Sequence, residues 1–322
     1  MKRGKSGAAR KPARRAKAPS ARARKSQAVK PLLRELLSHA PVVTDGALGT
    51  QLMARGLLTG ECPDLWNLTN PAKVEEVARR YVESGSEIIL TNTFRGNRVA
   101  LESYSLADKL EAINLAAVEI ARRAASHTAS VFASIGPSGK MLMTGEVSEG
   151  DLKRAFEEQV KVLSAAGVDG FAIETMTDLA EAKLAVAAAR QTDFPVVASM
   201  VFDSGKEKDR TMMGVTPEQA AEALTAAGAD AIGANCGQGI AAFVSICARL
   251  HAATDRPIWI KPNAGLPEIV NGNAVYRTTP EAFAAFVPAL LQAGASFIGG
   301  CCGTGPEFVW AIVETLRRWR RK

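Results

Sequence analysis

The sequence is poor in histidine, has no acidic residue in its first thirty positions, and contains no long apolar run. The three histidines, His39, His127 and His251, all lie away from the ends of apolar runs. No apolar run approaches the roughly 18 residues of a membrane span. Residues 1–30 lack the apolar middle of a secretory signal. A cytoplasmic protein with no membrane partner is therefore expected. The five cysteines have no paired spacing, which suits a reducing compartment and metal binding better than a disulfide framework. The net charge is +7, but residues 1–30 hold 12 of the 40 Lys and Arg; the 28 that remain face 33 Asp and Glu, a net of −5. The basic character belongs to the tail. A stretch of Ala, Lys, Arg, Ser and Pro cannot bury a core and is expected to be disordered. A transit peptide, an arm for nucleic acid or an acidic partner, and a solvated extension all fit it. For the body, nucleic acid is not an expected partner, and the sequence is silent on oligomeric state.

From residue 31 the pattern changes, and 31–322 reads as one domain. Apolar runs at 42–47, 87–94, 131–137, 170–176, 195–202, 231–236, 258–265 and 297–302 alternate with helical stretches at 72–84, 107–125, 151–166, 179–190, 218–227, 241–253, 281–293 and 307–320. Gly85, Gly167, Gly228 and Gly294 follow helices as caps do. Eight such units predict an α/β fold, a (β/α)8 TIM barrel. The competing doubly wound sheet loses its usual cofactor argument, because no Gly-x-Gly-x-x-Gly follows the first run.

Phe297 to Thr304 reads Phe-Ile-Gly-Gly-Cys-Cys-Gly-Thr. Glycines let the backbone bend so that both sulfurs face one point. Adjacent cysteines rarely bridge each other, and zinc accepts thiolates readily. Cys236, at the end of another apolar run, supplies a third sulfur. Three protein ligands leave a position open, as catalytic zinc requires. In a barrel, catalytic groups collect at the C-terminal ends of strands. Asp45, Asn92, Thr93, Glu174, Asn235, Lys261 and Asn263 all fall there. Lys261, in an apolar strand, needs a partner that the sequence does not identify. Cys62 and Cys247 read as buried hydrophobes, and the 310–319 stretch as helix packing and not a cofactor box.

Asp45-Gly46-Ala47-Leu48-Gly49-Thr50, Thr91-Asn92-Thr93-Phe94, Ile173-Glu174-Thr175, Gly233-Ala234-Asn235-Cys236 and Gly299-Gly300-Cys301-Cys302-Gly303-Thr304 resemble the homocysteine S-methyltransferases over residues 36–319. Pro63-Asp64-Leu65-Trp66-Asn67 and Lys261-Pro262-Asn263-Ala264-Gly265-Leu266-Pro267 are most similar to the homocysteine module of cobalamin-dependent methionine synthase. The resemblance implies a zinc barrel that methylates homocysteine to methionine, with Zn2+ on Cys236, Cys301 and Cys302. It also implies that an acidic pair, Asp45 and Glu174, binds the substrate ammonium. Two carboxylates facing one point repel without a cation between them, so an ammonium is physically sensible there. The backbone amides of Gly46 and Ala47 are expected to take the substrate carboxylate, and Asn235 to orient a loop or a ligand thiolate.

The chemistry follows from the residue types. A free thiol with a pKa of about 8.5 is mostly protonated at neutral pH, and only the thiolate attacks well. A coordinating thiol is deprotonated outright. Three protein thiolates and the zinc-bound thiolate of homocysteine give a net −2 centre, which keeps the substrate sulfur nucleophilic without a general base. Methionine synthase carries folate and cobalamin modules for which 322 residues leave no room. The methyl donor is therefore expected from elsewhere, either a separate methyl-corrinoid protein or a small onium compound such as S-methylmethionine, S-adenosylmethionine or a betaine. The reading from another class is a catalytically silent zinc-binding barrel acting as a binding or regulatory partner.

Overall fold

The computed structural model describes Met1, residues 30–270 and residues 273–320. The tail expected to be disordered over 1–30 falls, apart from Met1 and Lys30, outside the described residues. Short apolar strands form the frame: β1 Val42–Val43, β2 Ile88–Leu90, β3 Ser130–Ile135, β4 Gly170–Met176, β5 Val196–Met200, β6 Ala231–Cys236 and β7 Ile258–Pro262. An antiparallel hairpin follows, β8 Glu268–Val270 and β9 Asn273–Val275, and then the last barrel strand, β10 Ala295–Ile298. The eight parallel strands described run in the order β1-β10-β7-β6-β5-β4-β3-β2. The ring closes between its ends, where Thr44 bridges Ile88 and the Glu87 N–H donates to the Val43 carbonyl at 2.8 Å. This is a (β/α)8 TIM barrel.

Residues alternate across each strand. Ile89, Val131, Phe171, Val196, Ile232, Ile258 and Ile298 pack outward against the helices. Val42, Ile88, Phe132, Ala172, Val197, Trp259 and Phe297 fill the lumen. Trp259 stacks on Phe132 with centroids 6.3 Å apart and tilts against Phe297 at 5.2 Å. Leu33 and Leu36 of the helix Pro31–Leu37 join the same cluster and plug the N-terminal end. Two residues further along the strands, the inward positions turn polar: Phe132 is followed by Ser134, Ala172 by Glu174, Val197 by Ser199 and Trp259 by Lys261. The lumen thus has a dry floor and a polar upper layer.

Several elements differ from expectation for physical reasons. β1 and β10 stop short of their apolar runs: residues 44–45 and 299–301 keep isolated cross-strand hydrogen bonds, and the chain then turns at the mouth. The helix expected over 281–293 is two, Pro280–Ala284 and Val287–Gln292. Pro288 has no N–H to continue the first. The hairpin and the Pro31–Leu37 helix lack strong local patterns. Gly85, Gly167, Gly228 and Gly294 all take left-handed φ at their helix ends, between 88° and 102°. The 310–319 stretch lies in the helix Pro306–Trp319, which packs through Phe308, Val309, Ile312 and Leu316, while the Trp310 and Trp319 indoles are on its exposed face. Among the described residues, no helix is long and apolar enough to cross a membrane.

The plug carries a testable cost. Leu33 is fully buried, so Leu33→Ala is expected to destabilise the barrel by about 2–5 kcal/mol, measured as a lowered denaturant midpoint at unchanged m-value.

Candidate active site

Cys236 ends β6 with φ at 66°, in the left-handed region. Cys301 and Cys302 lie in the turn after β10. That turn is tied down by Cys301 N–H donating to the Pro262 carbonyl at 2.8 Å and by Thr304 Oγ1 donating to the Cys301 carbonyl at 2.6 Å. Its glycines are required by crowding: a Cβ on Gly299 would meet Thr44 Oγ1 at 2.0 Å, and one on Gly300 would meet Thr304 Oγ1 at 2.2 Å. The three Sγ atoms lie within 4.8 Å of one another. Cys301 and Cys302 thiols bond to Cys236, which holds its thiolate well below the usual thiol range and pushes theirs up. Three sulfurs so placed accept one negative charge and resist the next two, and a divalent thiophilic ion supplies the missing charge. The donor set fits Zn2+.

Two amides support the sulfurs. Asn235 Nδ2 donates to Thr175 Oγ1 at 2.7 Å and reaches Cys301 Sγ at 3.8 Å; its Oδ1 accepts from Thr175 N–H and Ser199 Oγ. It thereby clamps Thr175, which has φ at 61° and follows Glu174 directly. Asn263 Nδ2 approaches Cys236 Sγ at 3.5 Å and donates to the Gly237 carbonyl at 2.9 Å. Tyr276 stands beside Cys302, and its ring fills the space over Gly303. Burial and the neighbouring Cys302 push its phenol up to about 12. Sequence reasoning gave Tyr276 no role, because it follows a hairpin that has no strong local signal.

Beside the sulfurs lies a buried charge group. Asp45 and Lys261 form an ion pair and are 1% and 2% exposed; Asp45 Oδ2 also accepts the Leu90 N–H at 2.7 Å. Lys261 therefore has the partner the sequence did not name. Glu174, 9% exposed, accepts from Ser134 Oγ at 2.6 Å. Burial pushes the Glu174 carboxyl up, against the pull of Lys261. Burial opposes the charge on Lys261, but the Asp45 and Glu174 carboxylates outweigh it and hold its ammonium above the usual range. The two backbone amides expected to meet a substrate carboxylate differ. Ala47 N–H donates to the Thr304 carbonyl at 2.9 Å, whereas Gly46 N–H has no acceptor among the described residues. The Ala47 amide is thus committed to holding the turn. A Cβ on Gly46 would press on Thr304 O at 2.7 Å and the Tyr81 ring at 2.8 Å.

These groups share one cleft of about 280 Å3 at the C-terminal ends of the strands, lined by Asp45, Glu174, Lys261 and the three cysteines. Asp64 and the exposed Arg95 line it too and were not singled out by sequence reasoning. Asp64 is 1% exposed, and its carboxylate accepts the Arg95 N–H at 2.9 Å; burial pushes it up to about 7. Asn92 and Thr93 spend their side chains on the Pro63 and Ser134 carbonyls and so serve the scaffold. Cys62 and Cys247 are buried away from the cluster, and burial raises them to about 11 and about 12.

A family model described as homocysteine S-methyltransferase matches residues 42–316. The chain is 30% identical over 308 residues to the methionine synthase of Mycobacterium tuberculosis, covering 90% of this chain and 26% of that protein. It is 30% identical over 305 residues to the methionine synthase of Mycobacterium leprae, covering 89% and 25%. The chain spans about a quarter of the length of these curated relatives. The metallated form of the Escherichia coli homocysteine methyltransferase MmuM superposes with a TM-score of 0.73 at 24% identity, over 88% of this chain and 99% of that one. The apo form gives 0.69 at the same identity, over 88% and 99%. At that identity the likeness speaks for the fold.

The buried carboxyl of Asp64 has a pH signature. Its folded pKa is about 7 against about 3.9 unfolded, so ionising it opposes folding. Stability is expected to fall as pH rises through that window. Asp64→Asn should remove this penalty, stabilising the protein at pH 8 by up to about 4 kcal/mol and losing that advantage near pH 4. Denaturant unfolding of both proteins across pH 4–8 measures it.

Proposed function

The chain belongs to the homocysteine S-methyltransferase family, and from that premise we propose that it transfers a methyl group to the thiol of homocysteine, forming methionine, at a Zn2+ held by Cys236, Cys301 and Cys302. The observation that carries the reading is the meeting of three sulfurs within 4.8 Å with a buried acidic pair in one cleft. Zinc, when bound there, supplies the positive charge that keeps a substrate thiol deprotonated near neutral pH.

The protein residues have separate tasks in this reading. Asn235 and Asn263 donate N–H groups toward Cys301 and Cys236 and fix the direction of those sulfurs. Glu174, with one oxygen on Ser134, offers the other to the substrate ammonium, and Asp45 adds its charge beside it. The Gly46 amide is the backbone donor left for the substrate carboxylate. The substrate sulfur forms a new bond to the donor methyl, and the pair of the breaking bond stays with the donor's leaving atom. A thiol held at zinc would already be deprotonated, so this reading requires no protein base.

Two donor classes fit. The resemblance of residues 63–67 and 261–267 to the homocysteine module of cobalamin-dependent methionine synthase favours a methyl-corrinoid protein. A cleft of about 280 Å3 also admits a small onium compound. Methionine formation with each donor in turn decides between them. Methionine formed with neither would favour a catalytically silent binding barrel. The presence of all three thiols with Asp45 and Glu174 argues for the enzyme.

Cys236→Ala, Cys301→Ala or Cys302→Ala is expected to lower zinc from close to one per chain to near zero and to abolish transfer. Cys247→Ala should retain both; elemental analysis of the purified proteins checks the metal. Glu174→Gln should raise the homocysteine KM by roughly 10- to 150-fold, the worth of a buried charge-assisted contact, at unchanged zinc content. Steady-state kinetics beside metal analysis would expose a purely structural role if zinc fell with it.

A further inference from the structure

The acidic pair already has a cation of its own. Lys261 stands two residues beyond Trp259 on β7, so it enters the lumen one layer above the dry floor. A lysine ammonium carries three N–H donors. Among the described residues, Asp45 is the one hydrogen-bond acceptor for it. Glu174 stands close enough to feel its charge but forms no direct ion pair with it. The Trp259 ring lies 5.9 Å below the ammonium and offers only its π-face. Two buried N–H donors on a residue that lines the cleft are therefore left for something else. Unmet buried donors are costly, and here they flank the place where the substrate head group must sit. On the backbone side Ala47 N–H is committed to Thr304 and Gly46 N–H stays open, so a carboxylate with two oxygens can meet Gly46 with one and Lys261 with the other.

Resting on the homocysteine reading above, we propose that Lys261 binds the carboxylate of the substrate amino acid while Glu174 takes its ammonium, so that the site selects thiols with a zwitterionic head group. The charge pattern explains the selection. An amine without a carboxylate would place a second ammonium beside Lys261 with nothing between them. A zwitterion presents its negative end to Lys261 and its positive end to Glu174. Asp45 then acts as the anchor that holds Lys261 charged and in place, and its contact with the Leu90 N–H fixes the anchor to the neighbouring strand.

The test compares L-homocysteine with 3-mercaptopropylamine, the same thiol without its carboxylate. Both are titrated by calorimetry into the full-length zinc-loaded chain, wild type and Lys261→Met. Loss of the contact is expected to raise the homocysteine Kd about 10- to 150-fold. The Kd of 3-mercaptopropylamine should stay within about twofold or fall, because repulsion is removed with the lysine. Equal weakening of both ligands, or an unchanged homocysteine Kd, would overturn the assignment and leave Lys261 as a support for Asp45. Should circular dichroism show Lys261→Met unfolded by its unpaired carboxylate, the charge-balanced Lys261→Met/Asp45→Asn variant is compared with Asp45→Asn. The ratio of the two Kd values then reads the carboxylate contact alone. Wild-type protein that binds neither thiol overturns the homocysteine reading together with this assignment; wild-type protein that binds homocysteine but loses both ligands equally on substitution overturns this assignment only.

Discussion

The ion pair between Asp45 and Lys261 is the constraint around which the mouth of the barrel is arranged. Both groups are out of water, and an isolated charge in that position would be heavily penalised. Each is tolerable only because the other is present. The pair joins the end of β1 to β7 across the lumen, and the Leu90 N–H adds β2. Glu174 feels both partners, with its carboxyl pushed up by burial and pulled down by Lys261. The charge state of the cleft is therefore a property of the three groups together.

A second layer of order comes from the backbone. The thiol-bearing turn is crowded enough that glycine alone fits at positions 299 and 300. Cys236 and Thr175 occupy the left-handed region without being glycine, a conformation that costs energy and persists where neighbours enforce it. Asn235 does this for Thr175 through two hydrogen bonds, and its amide also reaches Cys301. Sulfur geometry and carboxylate position are thus coupled through one side chain.

Much of this was legible in the sequence because barrels obey local rules. Strand length, helix caps and the placement of polar residues after apolar runs are short-range patterns, and they located Asp45, Glu174, Asn235 and the three cysteines on one face. What was not legible depends on contacts distant in sequence. Lys261 finds Asp45 across 216 positions, and no periodicity reports that pairing. Asp64 reaches the cleft from a single 3-10 turn, and Tyr276 reaches Cys302 from the segment after the hairpin, where position is set by packing and not by repeat. Ala47 is a case of competition: its amide was available by motif but is consumed by Thr304, 257 positions away. Trp310 and Trp319 stand on the exposed face of a helix that packs through its other side.

The plug formed by Leu33 and Leu36 beneath Trp259, Phe132 and Phe297 gives the lumen one sealed end. A sealed floor turns the cleft into a blind well with a single doorway. Whatever sits deepest is boxed in by whatever arrives after it. In the proposed reaction, a thiol seated against the sulfurs would enter before the methyl donor, and the methylated product would leave after the spent donor had cleared the entrance. Under that reading, the order of entry and exit depends on a hydrophobic helix at the opposite end of the barrel from the sulfurs.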